Sequence, residues 1–317
     1  MYNGLKGSFV PGKKAVFRLQ RPQFYLFPFG TWIQSFTPRW LVIRIGRRLV
    51  DLAFPFLKKT RRAIARNFRY LLGRELESGE GELIARRVLR NMAITGADLM
   101  RIPRLCRTGM IEALVPVQHE RSRLDALLST GKGVVFVTAH VGNWDLGGIF
   151  LSYLGYPIAA VFERLGRGMS EVFNRYRSVS GVELVAMDDR VSMNRALEAG
   201  KVFSLVCDRD MKGTGQELPW FSGRRTFPRG AASFSLRYNV PMITAYCVLE
   251  PGDPKHRYRL VVEPPIDFEP GGDFTSDVEN LTALLVKRLE RMVSLYPEQW
   301  FVFDSGWRES GHSEPKS

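Results

Sequence analysis

A histidine and an aspartate separated by four residues, His140 and Asp145, stand where an apolar segment gives way to a helix-like one. The apolar run 133–138 is typical of a buried strand, and Asp145 falls in the first turn of the helix predicted after it. A carboxylate at that distance can hold one imidazole nitrogen and leave the other free to take a proton from an alcohol. A structural histidine at a strand end fits the spacing as well. Flanking glycines, where backbone must pass close to something, favour the catalytic pair: Gly142, Gly147 and Gly148.

Ionisable residues also follow two later apolar runs, 157–162 and 202–207. In an open α/β sheet, ligands gather at the carboxyl ends of the strands. We therefore expect the residues after these runs to share one crevice with His140. They are Glu163 and Arg164 after the first run, and Asp208, Arg209 and Asp210 after the second. For Asp208 and Asp210 the alternative is a pair of side chains that stabilise a turn.

The elements that must position these residues alternate along the chain. Apolar runs at 133–138, 157–162, 182–187 and 202–207 predict strands, and the segments near 143–154, 168–180 and 191–199 predict helices. Such alternation predicts the α/β class, with a largely parallel mixed sheet flanked by helices. Further predictions are helices across 40–110, an antiparallel strand pair at 241–249 and 257–263, and a long helix at 275–295.

The net charge of +14 is concentrated in the first quarter of the chain. Residues 1–75 contain 16 lysines and arginines but only Asp51 and Glu75 as acids, so the remaining residues are close to neutral. Such asymmetry indicates an anionic partner, either a membrane or a nucleic acid. The basic residues accompany bulky apolar ones and no nucleic-acid-binding module is recognisable, which favours the membrane.

Aromatic and apolar residues interleave with these charges, notably at 24–32 and 49–57. No run reaches the ~18 apolar residues of a spanning helix, and prolines and arginines interrupt every candidate. The composition predicts a peripheral or monotopic surface anchor. An ordinary helical subdomain with a solvated basic face is the alternative. We accordingly expect a membrane-associating helical segment at 1–110, a catalytic α/β domain at 111–308 and a disordered tail at 309–317.

Four sequence blocks resemble one family in the order in which they occur. They are Arg66-Asn67-Phe68, then His140-Val-Gly-Asn-Trp-Asp145, then Phe227-Pro228-Arg229-Gly230, and finally Tyr296-Pro-Glu-Gln-Trp300 with Trp307. Together they resemble the glycerolipid-type acyltransferases with an H-x4-D block. More narrowly, they resemble the branch of bacterial lipid A late acyltransferases and mycobacterial phosphatidylinositol mannoside acyltransferases.

This resemblance implies transfer of a fatty acyl group from acyl-CoA or acyl carrier protein to a hydroxyl of a glycolipid or phospholipid. It places the enzyme at the cytoplasmic face of a bacterial membrane, without a bound cofactor or metal. His140 would be the general base, Asp145 its orienting carboxylate and Glu163 an assisting catalytic group. The chain has no G-x-S-x-G element, which favours direct attack over a covalent acyl-enzyme. The predicted substrate-binding residues are Arg164, Asp208, Arg209, Asp210, Arg229 and Gly230, with Arg164, Arg209 and a turn at Gly230 as candidate oxyanion donors.

Two features separate the branches of the family. The segment Ala160-Val-Phe-Glu163-Arg164-Leu is similar to the A-E-R-L block of the mannoside acyltransferases, and the ending Phe303-Asp-Ser-Gly-Trp307 departs from the basic ending of the lipid A enzymes. Both differences favour a mannoside-type acceptor. Two other functions remain compatible with the residues: a non-enzymatic membrane- or nucleic-acid-binding protein, and a hydrolase that transfers the acyl group to water.

Overall fold

A central sheet organises the protein. The computed structural model describes residues 32–34, 36–116, 120–163, 181–304 and 306–308. Within these residues six strands lie in the spatial order β3-β2-β4-β1-β7-β8, all parallel except β8, and β5 and β6 form a separate antiparallel hairpin. The strands are β1 Val134–Thr138, β2 Ile158–Phe162, β3 Glu183–Ala186, β4 Val202–Val206, β5 Gln216–Trp220, β6 Gly223–Phe227, β7 Met242–Leu249 and β8 Tyr258–Val262.

Helices cover both faces of this sheet. They are α1 Arg39–Ala53, α2 Lys58–Leu72, α3 Glu80–Thr108, α4 Met110–Leu114, α5 Glu120–Leu128, α6 Trp144–Tyr153, α7 Arg190–Glu198, α8 Gly230–Tyr238 and α9 Phe274–Leu295. Side-chain caps fix several starts. The carboxylate of Asp189 accepts the backbone N–H of Ser192, and that of Asp273 accepts the backbone N–H of Ser276.

The core consists of two apolar layers, one on each face of the sheet. Strand β1 is buried along its whole length, and its side chains alternate between the layers. Val135 and Val137 belong to the layer beneath α7, α8 and α9, whereas Val134 and Phe136 belong to the layer beneath α3 and α6. A central strand buried on both faces explains why this run is continuously apolar in sequence.

The amino-terminal helices pack on this core through the long helix α3, which contacts α1, α2 and α6. Phe54, Ile64 and Phe68 join α3 in a third apolar cluster, against which Phe301 and Phe303 pack from the carboxyl-terminal segment. In the described part of the chain, no helix combines the length and apolarity needed to cross a bilayer. The amino-terminal region is therefore built as a helical layer that shares its packing with the α/β half.

Most of the predicted elements are confirmed. The four parallel strands, the antiparallel pair β7–β8, the helices of residues 40–110 and helix α9 occur where the sequence predicts them. The hairpin β5–β6 was not predicted, because its strands read Gln-Glu-Leu-Pro-Trp and Gly-Arg-Arg-Thr-Phe and lack an apolar alternation. The predicted turn at Gly230 was wrong, since this residue begins helix α8. The predicted helix 168–180, the tail 309–317 and residues 24–31 of the aromatic stretch lie outside the described residues.

Candidate active site

A histidine–carboxylate pair lies at the carboxyl edge of the sheet. Nδ1 of His140 is 2.7 Å from Oδ1 of Asp208. The imidazole side chain is 24% exposed, whereas the Asp208 carboxylate is fully buried. A carboxylate at Nδ1 favours the tautomer with the proton on that nitrogen, so Nε2 keeps its lone pair. His140 thus has the arrangement of a general base with one nitrogen anchored and a partly exposed ring.

The pairing follows from strand order and register. Strand β4 lies beside β1 and runs parallel to it, with Thr138 level with Val206. His140 and Asp208 each come two residues after this level, so they leave the sheet side by side. The backbone N–H of Cys207 also donates to the carbonyl oxygen of Thr138, which extends the pairing past the strand ends.

The second oxygen of Asp208 is held by two more donors. Oδ2 accepts the backbone N–H of His140 at 2.9 Å and the indole Nε1–H of Trp300 at 2.8 Å. Burial would raise the pKa of Asp208, but the charge interaction with His140 and the hydrogen bonds from His140 and Trp300 outweigh it and lower the pKa. The carboxylate therefore stays ionised beside His140, although no solvent reaches it.

This geometry corrects two sequence-based assignments. The carboxylate that orients Nδ1 is Asp208, not Asp145, which lies in the first turn of α6. Asp208 was also assigned to substrate binding, yet its full burial and its three hydrogen bonds leave it facing His140. The order of strands decides this partner, because β4 is remote in sequence but adjacent to β1 in space. A catalytic contribution of Asp145 stays a prediction.

The turn after His140 is fixed against β7. Gly142 has φ of 66°, and a Cβ at this position would lie 2.1 Å from the carbonyl oxygen of Cys247. That oxygen accepts the backbone N–H of Asn143, whose own side chain caps α6 by accepting the N–H of Leu146. Only glycine fits this close approach. The flanking glycine thus serves to seat the histidine turn.

The Pro-Glu-Gln-Trp block forms the opposite support. The Gln299 amide pairs with both the N–H and the carbonyl oxygen of Leu249, at 2.8 and 2.9 Å. The backbone carbonyl oxygen of Gln299 accepts the N–H of Gly142, and the backbone N–H of Phe301 donates to the carbonyl oxygen of His140. Trp300, which is 2% exposed, then reaches Asp208. This block therefore docks on the end of β7 and carries the indole donor that holds the Asp208 carboxylate.

The chain that follows Trp300 ties the site to helix α2. The Asp304 carboxylate binds Arg209 and Arg225 at 3.0 and 2.9 Å. Burial would raise the pKa of Asp304, but the charge of Arg225 prevails and lowers it. From α2, the Asn67 amide accepts the indole N–H of Trp307 and donates to the carbonyl oxygen of Val302, at 2.7 and 2.6 Å. Three of the four resembling blocks thus belong to one connected structure around His140.

The remaining predicted site residues divide by position. Glu163 directly follows β2 at the same edge and is exposed, with β4 lying between β2 and β1. Two interstrand steps of about 4.8 Å separate those strands. Arg164 lies outside the described residues. Asp210 accepts the backbone N–H groups of Lys212 and Gly215, which is the turn-stabilising role named as its alternative.

The two residues of the third block lie at the start of α8. Arg229 is half-exposed and lies 3.6 Å from Glu279 on α9. Gly230 is the first residue of α8, with open space where a side chain would stand. Because α8 leads back to the start of β7, its amino end points toward the edge of the sheet that carries His140. Substrate binding by either residue stays a prediction.

Sequence reasoning missed the hydrogen bond from Trp300 to Asp208. His140, which shares the Asp208 carboxylate with Trp300, lies 160 residues earlier in the chain. Sequence spacing therefore gives no indication that Trp300 and His140 are neighbours. Trp144 was missed as well: its ring meets the His140 ring edge to face, with centroids 4.9 Å apart. The thiols of Cys207 and Cys247 are both buried.

Residues 10–309 match the model of the family described as bacterial lipid A biosynthesis acyltransferase. A phosphatidylinositol mannoside acyltransferase of Mycolicibacterium smegmatis (strain ATCC 700084 / mc(2)155) is 25% identical over 258 residues, which cover 77% of this chain and 78% of that one. A protein of the same name from Mycobacterium tuberculosis (strain ATCC 25618 / H37Rv) is 24% identical over 216 residues, 66% of either chain and so just under two thirds of that relative's length. The match spans all four blocks. The chain belongs to the bacterial lipid A biosynthesis acyltransferase family, a family of acyl-transferring enzymes.

Proposed function

We propose that this protein is a membrane-associated O-acyltransferase in which His140 is the general base. The observation that carries the proposal is the pair formed by the partly exposed His140 ring and the fully buried, triply hydrogen-bonded Asp208. Asp208 fixes the tautomer and stabilises the imidazolium that forms during proton transfer. A binding protein has no need for a buried ionised carboxylate against a histidine at the sheet edge where ligands gather.

The transfer proceeds by direct attack. Nε2 of His140 removes the proton from a hydroxyl of the acceptor as the oxygen forms a bond to the thioester carbonyl carbon. Collapse of the tetrahedral intermediate breaks the carbon–sulfur bond, and the departing thiolate receives the proton from the imidazolium. Atoms and charge balance without a covalent acyl-enzyme. The buried thiol of Cys207 supports this route, because burial raises its pKa far above the ordinary value and keeps it a poor nucleophile.

The developing oxyanion requires donors that are in place before attack. The candidates are Arg164, the Arg209 guanidinium and the free N–H groups at the start of α8. Arg209 is one-third exposed, and its Nε is held by Asp304, so the rest of its guanidinium is positioned beside the strand end that carries Asp208. The amino end of a helix also favours negative charge.

The acceptor we propose is a glycolipid hydroxyl, of the phosphatidylinositol mannoside type or the lipid A type. The names of the mycobacterial relatives favour the first. The exposed Glu163, which follows β2 at the same sheet edge, supports a polyhydroxylated acceptor that reaches across the end of β4. The acyl donor is a thioester of coenzyme A or of acyl carrier protein.

Membrane association follows from the amino-terminal helices. Trp32, Phe36 and Trp40 are each more than half exposed, and they accompany the basic residues of α1. Aromatic rings at an interface and arginines beside anionic headgroups are the composition of a monotopic surface. We propose that this surface faces the cytoplasmic leaflet of a bacterial membrane.

Incubation of the purified protein with radiolabelled palmitoyl-CoA or palmitoyl carrier protein and a panel of mannosylated and lipid-A-type acceptors tests the proposal. Mass spectrometry of the lipid product identifies the acylated hydroxyl. We expect an acylated glycolipid with wild-type protein and about 10²- to 10⁴-fold less of it with His140→Ala. Accumulation of free palmitate without acylated lipid would instead identify a hydrolase. Release of neither product from any donor would contradict an enzymatic function.

A further inference from the structure

An open, basic groove lies between helix α1 and the turn that connects β7 to β8. Its volume is about 730 Å³. Trp40, Arg44, Arg47 and Arg48 line it from α1, and Lys255 and His256 line it from the turn. None of these side chains belongs to the His140 site.

The two walls are joined by one arginine. Both ends of the Arg39 guanidinium reach the fully buried Asp98 on α3, at 2.7 Å each. The same guanidinium donates to the carbonyl oxygens of Lys255 and His256. Since α1, α3 and the turn meet at this one side chain, the groove has a fixed shape before any ligand arrives.

Several of the groove's positive charges have no counterion. Asp51 is shared by Arg86 and Arg90, and Asp98 is occupied by Arg39. Across the described residues, Arg44, Arg47, Arg48 and Lys255 make no ion pair, and three of the four are exposed. The pKa of His256 is lowered by burial first and by the charges of Arg39 and Arg47 next, as expected in a positive potential. An anion in the groove would relieve this repulsion.

An apolar stripe runs along the exposed side of α1. Ile45, Leu49 and Leu52 lie one helical turn apart and are all exposed, Leu52 by 71%, and Phe56 continues the line at 86%. Arg48 lies between the groove-lining residues Trp40, Arg44 and Arg47 and the stripe, because it is one turn after Arg44 and one turn before Leu52. A free phosphate would leave this stripe in water. A lipid would place its phosphate in the groove and its acyl chains on the stripe.

We propose that the groove is a binding site for one anionic phospholipid, which holds the lipid phosphate between Arg44, Arg47 and Lys255 and its acyl chains along Ile45, Leu49 and Leu52. The proposal deepens the membrane association proposed above and rests on it. It differs from a general attraction to negative surface because both walls of the groove, α1 and the turn, are required. Charge on α1 alone would leave Lys255 without a role.

Calorimetric titration with dihexanoyl phosphatidylglycerol below its micelle concentration tests the site in the full chain. We expect saturable one-to-one binding. Arg47→Gln and Lys255→Gln, one from each wall, should each weaken it about fivefold, the effect of about 1 kcal/mol per basic residue near a lipid phosphate. Arg237→Gln, which removes an exposed arginine on α8, is the matched control and should bind as wild type does.

Three further measurements distinguish a lipid from free phosphate as the ligand and distinguish the two proposals. Leu49→Ser should weaken lipid binding, and inorganic phosphate should bind far more weakly than the lipid. Acyl transfer to a detergent-dispersed acceptor should be unchanged in Arg47→Gln. Failure of the wild-type protein to transfer the acyl group would count against the enzymatic proposal alone. Equal lipid affinity of Arg47→Gln, Lys255→Gln and Arg237→Gln would overturn the site. So would phosphate binding as tight as lipid binding.

Discussion

The His140 crevice and the α1 groove both gather ionisable side chains, but they treat charge in opposite ways. In the crevice, Asp208 is fully buried and every hydrogen bond it accepts has a defined donor. In the groove, Arg44 and Arg48 are exposed and carry no counterion among the described residues. A satisfied buried charge positions its neighbours, whereas an unsatisfied exposed charge is available to a ligand. The His140 crevice therefore has the character of a pre-positioned site, and the α1 groove has that of a docking surface.

The largest effect should come from the crevice itself. His140→Ala removes the base, and we expect transfer to fall about 10²- to 10⁴-fold. Membrane binding should not change, because the groove and the stripe are intact. Turnover assays and vesicle flotation on the same preparation measure both. Near-wild-type transfer by His140→Ala would refute the mechanism.

Asp208→Asn tests whether the buried carboxylate acts through the base. The amide keeps the size but can donate to Nδ1, which would place the ring proton on Nε2 and block proton uptake. We expect a loss of at least about 10²-fold in kcat with little change in acceptor KM. Asp210→Asn is the matched control, since Asp210 also follows β4 but accepts loop N–H groups. Equal losses in the two variants would contradict a special role for Asp208.

Trp300→Phe probes the donor to Asp208 while keeping an aromatic ring in the core. We expect a kcat decrease of about tenfold, corresponding to roughly 1.4 kcal/mol, within the range for a hydrogen bond to a charged group. A carboxylate that loses a donor has a raised pKa, and the His140–Asp208 pair then binds a proton more tightly. The acid limb of the kcat profile should move to higher pH.

Trp307→Phe controls for the tryptophan chemistry, because its indole donates to the neutral Asn67 amide. It should leave the position of the acid limb unchanged, whatever it does to stability. A shift of equal size in both variants would show that Trp300 acts only through packing.

Glu163→Gln should have a smaller effect. If Glu163 assists at the acceptor hydroxyl, kcat falls more than acceptor KM rises, because charge is removed at constant size. Steady-state kinetics with varied acceptor measure both constants. Unchanged values would identify an ordinary exposed glutamate.

Salt should affect vesicle binding and acyl transfer differently without any change to the protein. Screening shortens the Debye length from about 10 Å at 0.1 M to about 3 Å at 1 M. Vesicle binding through the exposed arginines should weaken, whereas transfer to a detergent-dispersed acceptor should persist, since the buried Asp208 is poorly screened. Flotation and turnover across a salt series measure the two. Salt-independent vesicle binding by folded protein would contradict a basic docking surface.

Local sequence patterns are enough to predict the parallel α/β arrangement and to identify His140 as a candidate site residue. Continuous apolar runs predict strands buried on both faces, and the rule that ligands gather at strand ends selects His140, Glu163 and the 208–210 segment. Charge counting located the basic quarter in the same way. These inferences need only local patterns, because the apolar periodicity of a segment reflects the secondary structure and burial of that same segment.

The choice of the carboxylate that pairs with His140 depends on the tertiary structure. The sequence favours the nearby Asp145, but strand order places β4 against β1, and register then brings Asp208 to His140. Trp300 reaches the same carboxylate because Gln299 docks its segment on the end of β7. The groove likewise depends on Arg39 joining α1 to a turn more than 200 residues away. Such contacts depend on which segments pack together, and the periodicity of one segment does not reveal which other segment packs against it in space.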